Sequence, residues 1–250
     1  MKMKQEELHI MFTPIINPTT GITITWNMMY GVLYIKCMKH VSLTVDSRKF
    51  LFCIEKNLIY KEIFMLFLVE ANEKYIDELE QFKNEVLIYD KDNDNQFAGC
   101  MGLGNCKNAR EWIEICNLRK NAETCKQAGT NVPSTTYFAI RKDDDRLVGV
   151  IDLRHHINHP VLGTWGGHCG YSVRPSERGN GYAKEMLRLN IQNAREMGIE
   201  KLLVTCEETN IASEKTILAN GGVFEKTVEA DGSIMKRYWI DTVPKTMNNK

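Results

Sequence analysis

The sequence has no excess of charge of either sign. Its 32 lysine and arginine residues balance 32 aspartate and glutamate residues over 250 positions. Attraction of a whole protein to nucleic acid depends on a positive excess and on basic runs. We therefore expect no nucleic-acid partner, although a local basic patch is compatible with this balance.

The sequence also lacks a hydrophobic run long enough to cross a membrane. Its most apolar windows, residues 28–37 and 63–69, are shorter than the roughly 20 residues that a spanning helix needs. The first eight residues include two glutamates and no apolar core, unlike a secretory signal. We expect no membrane partner and a cytoplasmic location.

No two of the eight cysteines form a Cys-x-x-Cys pair. Zinc ribbons and thioredoxin-like sites use such pairs, so the cysteines do not indicate either class of site. Several of them, such as Cys53 and Cys206, lie in apolar runs, where a reduced thiol packs as a small hydrophobic group. This pattern favours a reducing compartment.

The most informative stretch, residues 169–183, changes from strand to loop to helix. Residues 169–173 alternate between apolar and small or polar side chains, which is the period-two pattern of a strand. Pro175 ends this strand because it removes a donor from the ladder. Apolar residues then recur at helical spacing over residues 186–194, which predicts a helix.

Arg178, Gly179, Asn180 and Gly181 lie between the predicted strand and helix. A loop of small residues that runs into a helix N-terminus leaves backbone N–H groups unpaired, and the helix dipole adds positive potential there. Together they form a site for a phosphate or pyrophosphate group. Two glycines alone fit a simple tight turn equally well.

The order of residues favours the phosphate site. Arg178-Gly-Asn-Gly-Tyr-Ala183 matches Arg/Gln-x-x-Gly-x-Gly/Ala, the acyl-coenzyme A signature of the GNAT superfamily of N-acetyltransferases. The chain from about Leu66 to Ile240 resembles a small-molecule-type GNAT domain throughout. It does not resemble a Walker loop, because no Gly-Lys-Ser/Thr follows the glycines, or a Rossmann fingerprint, because the third glycine is absent.

The resemblance implies an α/β protein of the GNAT fold, with a central mixed sheet whose parallel strands splay apart between flanking helices. We expect residues 65–243 to form this domain, residues 1–64 to be an N-terminal extension of unknown role and residues 244–250 to be a polar tail. Within the extension, residues 22–26 are strand-like. The pattern of the domain predicts helices at 72–86, 108–116 and 210–219, strands at 132–141, 147–153 and 201–206, and a final hairpin that turns at Asp231-Gly232.

The resemblance further implies transfer of the acetyl group of acetyl-CoA, as co-substrate, to a primary amine of a small molecule or peptide by direct attack in a ternary complex. The amine must first lose a proton, because an alkyl ammonium has a pKa of about 10.4. Two other functions stay open: a non-catalytic acyl-CoA-binding GNAT domain that acts as a sensor or scaffold, and a nucleotide-phosphate binder of another class. The latter rests on the glycine loop alone.

Three residues are candidates for the catalytic base. Glu207 and Glu208 follow a predicted strand next to the splay, and His168 begins the opposing strand. A histidine at that position can act through a water molecule. Glutamates after a strand are mostly solvated and strand histidines are mostly packed, so the sequence does not choose among the three.

The residue expected to protonate the leaving thiolate, the catalytic acid, departs from the family pattern. Many GNAT enzymes carry a tyrosine seven residues after the asparagine that opens the late helix, and here that count from Asn210 gives Ile217, which cannot donate a proton. Ser213, Tyr182 or water can take this role, or the thiolate leaves unprotonated. The missing tyrosine is the feature that favours the non-catalytic alternative.

The resemblance thus gives a set of expected site residues. The coenzyme is expected to contact backbone or side chains of the strand, loop and late helix, at Tyr171, Ser172, Val173, Arg178, Gly179, Asn180, Gly181, Tyr182, Ala183, Asn210 and Ser213. The catalytic candidates are Glu207, His168, Glu208 and Ser213. We expect no metal, because His155, His156 and His159 lie in an irregular loop without the spacing of a zinc pair; acceptor-side contacts or plain surface are expected for them. A homodimer is left open.

Overall fold

The computed structural model describes residues 22–27, 32–37, 66–93 and 96–243, the first two segments as backbone only. The chain divides into two units, Met1–Ile63 and Phe64–Lys250. In the first unit, β1 (Ile22–Asn27) pairs antiparallel with β2 (Val32–Cys37), which confirms the strand predicted at 22–26. The other predictions for residues 1–64, and the tail at 244–250, lie outside the described residues.

The second unit contains a four-stranded antiparallel sheet. Its strands follow chain order as β3 (Leu66–Glu70), β4 (Ser134–Arg141), β5 (Arg146–Arg154) and β6 (Cys169–Val173). The turn between β4 and β5 falls in the predicted aspartate run, and Asp145 there has a φ of 56°. Tyr137 lies opposite Ile151, which in turn lies opposite Tyr171.

A three-stranded antiparallel sheet forms the other half of this unit. It contains β7 (Lys201–Glu207), β8 (Val223–Ala230) and β9 (Ser233–Asp241), in the order β7-β9-β8. β8 and β9 are a hairpin that turns at Asp231 and Gly232, both with positive φ. The final hairpin predicted from the sequence is therefore confirmed.

In the part of this unit that the structure describes, four α-helices cover the sheets: α1 (Ile76–Tyr89), α2 (Ala109–Arg119), α3 (Tyr182–Glu196) and α4 (Ile211–Ala219). Strand alternation sends Phe138 and Val150 into the core under α1 and α2, whereas Ile151 faces the core under α3 and α4. The predicted apolar stripe is buried in the core under α1 and α2, at Tyr75, which directly precedes α1, and at Leu79, Phe82 and Val86 on the helix. No described helix is long and apolar enough to cross a membrane.

The start of α2 shows the predicted cap with one difference. The Asn108 side chain accepts a hydrogen bond from the Glu111 N–H at 3.0 Å, as an N-cap residue does. The Glu111 carboxylate, however, accepts from the Lys107 N–H at 2.6 Å rather than from Asn108. The capping box is therefore displaced by one residue.

The two sheets meet at one point and then separate. The His168 N–H donates to the Leu203 carbonyl at 2.8 Å, and no ladder pairs β6 with β7 in the part of the chain that the structure describes. The predicted splay is thus present. The splay divides the central sheet into two antiparallel sheets, which are joined at His168 and Leu203.

Candidate active site

The loop between β6 and α3 is open toward solvent. Gly179 and Gly181 have φ values of 83° and 79°, in the left-handed region that favours glycine. A Cβ atom added to Gly179 would meet nothing within 4 Å. Among the described residues, the N–H groups of Gly179, Asn180 and Gly181 find no acceptor, and no side chain caps α3. The loop and the helix dipole therefore present positive potential to an anion.

Ion pairs hold the chain just before this loop. Arg174 is fully buried and contacts Glu78 at 2.9 Å and Glu85 at 3.3 Å, both on α1. Glu177 contacts Arg141 of β4 at 2.8 Å. Charge-assisted bonds of this kind are stronger than neutral ones, so the loop is attached firmly to both a helix and a strand.

Arg178 points away from the loop that it opens. Its guanidinium makes a bidentate pair with Asp90, the residue that ends α1, with Nη1 2.8 Å from Oδ1. Its Nε also donates to the Val173 carbonyl at 3.3 Å. Arg178 therefore shapes the loop from outside. Asp90 was missed by the sequence analysis, because nothing local marks which distant carboxylate an arginine will meet.

Every second residue of β6 turns its backbone groups toward the gap between the sheets. At the two ends of the strand, the Arg154 N–H donates to the His168 carbonyl and the Arg174 N–H donates to the Val148 carbonyl, both at 2.8 Å. Hydrogen-bonded pairs alternate along an antiparallel ladder. The even-numbered residues of β6 therefore bond to β5.

This alternation separates the three strand residues expected to contact the coenzyme. The backbone groups of Tyr171 and Val173 face the gap, whereas those of Ser172 face β5. The Val173 carbonyl already accepts from Arg178. Tyr171 is accordingly the residue of β6 whose N–H and carbonyl are best placed to pair with an extended ligand.

A glycine-rich loop before α2 covers one face of β6. The Ser172 hydroxyl donates to the Ala98 carbonyl at 2.7 Å. A Cβ on Gly99, which has a φ of 76°, would lie 2.4 Å from the Gly170 carbonyl oxygen, so only glycine allows this approach. The cluster of glycines at 99, 102 and 104 was a sequence signal for a loop, but it did not show which strand the loop covers.

His168 lies at the closed end of the gap. Its Nδ1 accepts from the Leu203 N–H at 2.9 Å, and its residue exposure is 5%. Burial, with a further contribution from the positive charge of Arg154, lowers the pKa of His168 to about 4. The imidazole is therefore neutral at pH 7 and joins the two sheets, and its assignment as a base stays a prediction.

The two glutamate candidates lie at the other end of β7. Leu202, Val204 and Cys206 face the core shared with α3 and α4. Because side chains alternate along a strand, Glu207, the last residue of β7, is on the opposite face. Glu208 follows with an exposed side chain.

The start of α4 brings a further candidate to β6. Asn210 caps the helix by accepting from the Ser213 N–H at 3.0 Å, as predicted. The Ser213 hydroxyl oxygen lies 2.7 Å from that of Tyr171. Ile217, at the position where the family often carries tyrosine, has no exposure and packs in the core.

The three loop histidines are engaged in local contacts. His155 Nε2 lies 2.9 Å from the Thr135 hydroxyl, and burial lowers the pKa of His155. His156 and His159 each accept, through Nδ1, a hydrogen bond from a backbone N–H two residues later, at 3.3 and 3.2 Å. These contacts are those of an ordered loop.

Residues 88–223 match the family described as Acetyltransferase (GNAT) domain. This match covers more than half of the chain. The chain belongs to the GNAT acetyltransferase family. It is therefore an acyltransferase that transfers acetyl groups. A comparison with curated proteins found no match.

Two solved structures share the fold of this GNAT chain. One is the ribosomal L7/L12 alpha-N-protein acetyltransferase RimL in complex with coenzyme A, with 18% identity, 72% of this chain and 97% of that chain covered, and a TM-score of 0.51. The other is the microcin C7 self-immunity acetyltransferase MccE in complex with acetyl-CoA and AMP, with 17% identity, coverages of 70% and 92%, and a TM-score of 0.50. At these identities the likeness establishes the fold alone, and it confirms the predicted α/β GNAT fold.

The low pKa of His168 predicts an acid-sensitive junction. The pKa is about 4 in the folded chain against an ordinary value of 6.5, so the unfolded chain binds more protons between these values. The free energy of unfolding then falls as the pH drops from 6.5 to 4, by about 3 kcal/mol from this residue. His168→Asn keeps an acceptor for the Leu203 N–H but does not titrate.

Urea unfolding at pH 7 and pH 4.5 measures this difference. Between the two pH values, we expect the free energy of unfolding to fall by about 2.5 kcal/mol less in the His168→Asn protein than in the wild type. Carboxylate titration is common to both proteins and cancels in the comparison. Parallel losses in the two proteins would contradict the assignment.

Proposed function

We propose that the chain transfers the acetyl group of acetyl-CoA to a primary amine of a small molecule or peptide, by direct attack of the amine in a ternary complex. The observation that carries this proposal is the separation of β6 from β7 immediately before an open glycine loop. A gap between strands admits an extended thioester arm. The complexes of RimL with coenzyme A and of MccE with acetyl-CoA support the same ligand.

The glycine loop holds the diphosphate end of the coenzyme in this proposal. The N–H groups of Gly179, Asn180 and Gly181, with those of Tyr182 and Ala183 at the start of α3, donate to the phosphate oxygens. These groups need no side chain, so their geometry is set by the backbone alone. Arg178 contributes from outside by fixing the loop to Asp90.

The gap holds the thioester arm. The backbone groups of Tyr171 and the N–H of Val173 pair with its amides, and a backbone N–H at this edge donates to the oxyanion of the tetrahedral intermediate. Asn210 and Ser213 line the opposite side from α4. Much of the rate then comes from holding amine and thioester in contact.

Glu207 is the residue that we assign to the proton of the amine. It ends β7 on the face opposite the core, beside the gap and away from the α3 side. His168 is neutral at pH 7 and engaged with Leu203, and Glu208 is exposed. A glutamate at the position of Glu207 can accept the proton directly or through water.

Ser213 is the residue that we assign to the leaving sulfur. A thiol has a pKa near 8.5, so its thiolate needs only modest help to leave. A hydrogen bond from the serine hydroxyl meets that need without full proton transfer. The buried Ile217 then takes no part in the reaction.

A thiol-release assay over a panel of amines tests the proposal. The panel contains a diamine, a polyamine, an amino acid amide and a short peptide with a free N-terminus, each with acetyl-CoA. We expect thiol release with at least one amine, and a product heavier by one acetyl group. Acetyl-CoA binding by calorimetry without release for any amine would favour the non-catalytic alternative and contradict the proposal.

An isosteric pair of variants tests the phosphate site. Gly179→Asn and Gly179→Asp introduce side chains of the same shape at a position where Cβ meets no neighbour, and both residues tolerate left-handed φ. Two like charges about 4 Å apart near a protein surface repel by about 4 kcal/mol. We therefore expect calorimetry to show acetyl-CoA binding weakened at least about 100-fold more by Asp than by Asn. Equal affinities of the two variants would remove the site from this loop.

The pH profile of Glu207→Gln tests the base. We expect kcat near pH 7 to fall about 100-fold, since general bases contribute at least that much. The loss should shrink toward pH 10, because the amine, with a pKa of about 10.4, then reaches the site already deprotonated. Glu208→Gln is the matched control and should keep near wild-type rates. A loss that does not depend on pH, or a larger loss in the control, would exclude Glu207 as the base.

A further inference from the structure

Tyr171 reaches from the first sheet to α4, the helix between β7 and β8 of the second sheet. Its Oη lies 2.7 Å from Ser213 Oγ and 3.5 Å from the Ser213 carbonyl oxygen. The ring packs against the core shared by α3 and α4, which leaves its hydroxyl at the first turn of α4. This side-chain contact links β6 to α4 at the open side of the junction.

The direction of the hydrogen bond decides what Ser213 can do. A phenol, with an ordinary pKa of about 10, is a better donor than an aliphatic alcohol. When Tyr171 donates to Ser213 Oγ, the hydrogen of the serine hydroxyl stays free for another acceptor. The Ser213 N–H is already bonded to Asn210, so the hydroxyl is the group that the cap leaves for chemistry.

The surroundings of Tyr171 keep its hydroxyl protonated. Burial raises its pKa well above the ordinary value, and the neighbouring Cys169 and Cys206 raise it further, whereas hydrogen bonding to Ser213 and Thr216 acts in the opposite direction. The phenol is therefore a donor throughout the neutral and mildly alkaline range. Hydrogen bonds in a chain polarise one another, so this bond makes the serine hydroxyl a stronger donor in turn.

We propose that Tyr171 is a positioning residue for Ser213, which it holds with the serine hydrogen directed at the leaving sulfur of the coenzyme. The inference rests on the proposed function, because it assigns the hydroxyl pair to that reaction. It also explains how this chain donates a hydrogen bond to the sulfur although Ile217 occupies the position where the family often carries tyrosine. Ser213 is the donor, and Tyr171 of β6 orients it.

The reaction balances without a net change on either residue. The amine nitrogen bonds to the thioester carbon, and the carbon–sulfur bond then breaks with its electron pair on sulfur. Ser213 donates a hydrogen bond to that sulfur while Tyr171 donates to Ser213. Glu207 takes the first proton of the ammonium and passes it through water to the solvent. The second proton, which the nitrogen loses after attack, passes through water to the sulfur, and the products are an amide, a thiol and one released proton.

A double-mutant cycle tests the coupling. Tyr171→Phe keeps the ring and the backbone that faces the gap, and we expect it to lower kcat about ten-fold, the worth of one oriented hydrogen bond, with KM for acetyl-CoA changed less than about two-fold. Ser213→Ala should lower kcat at least as much. In the Ser213→Ala background, Tyr171→Phe should not lower kcat further, because the phenol then has no serine hydroxyl to orient.

Tyr238→Phe is the matched control. The hydroxyl of Tyr238 is buried and donates to Glu214 of α4 at 2.6 Å. The substitution therefore removes a comparable hydrogen bond to α4 that does not involve Ser213. We expect its kcat to stay at the wild-type value. Thermal unfolding of all variants shows whether each change is one of stability alone.

Three results would overturn the inference. Wild-type kcat in Tyr171→Phe would do so, as would an equal loss from Tyr171→Phe with and without Ser213, which is the behaviour of a purely structural residue. Both results require an active wild-type enzyme and leave the proposed function intact. A wild type that binds acetyl-CoA but releases no thiol with any amine would instead overturn the proposed function and this inference with it.

Discussion

The junction of His168 with Leu203 is the contact on which the arrangement of this domain depends. Two peptide N–H groups, one carbonyl and one imidazole nitrogen join the two sheets there. Beyond it, β6 and β7 form no ladder in the described residues. A second bonded pair would extend the sheet and close the gap. Joining the sheets at one end therefore keeps backbone groups of β6 exposed while the hydrophobic core under α3 and α4 stays continuous.

The loop that we propose for the coenzyme diphosphate shows how a flexible sequence is ordered by its neighbours. Glycines lose much conformational entropy when they are ordered at positive φ. If the loop were disordered before binding, this loss of entropy would weaken the affinity for the ligand. Ion pairs at Arg174 and Glu177, together with the Arg178–Asp90 pair, order the flanking residues during folding. In the proposed complex the diphosphate contacts N–H groups that are already oriented, which is the general advantage of preorganisation.

Donation to a leaving group does not depend on one residue position. What such a step needs is a hydroxyl within hydrogen-bond reach and oriented toward the acceptor. Here Ile217 packs in the core, whereas Tyr171 and Ser213 bring two hydroxyls together from a strand and a helix. The motif position alone shows only that tyrosine is missing at Ile217. In the proposed mechanism the hydroxyl comes instead from Ser213, held by Tyr171.

The sequence by itself determined the local elements of the site. Alternation before Pro175, the glycines at 179 and 181 and the helical spacing after them act within a few residues of one another, so the strand, loop and helix could be predicted together. Only the tertiary structure decided which distant groups meet: Asp90 with Arg178, Ser213 with Tyr171, and Leu203 with His168. The low pKa of His168 also belongs to the fold, because burial and the nearby Arg154 produce it. Contacts between residues far apart in the chain depend on how whole elements pack, and no local pattern encodes that packing.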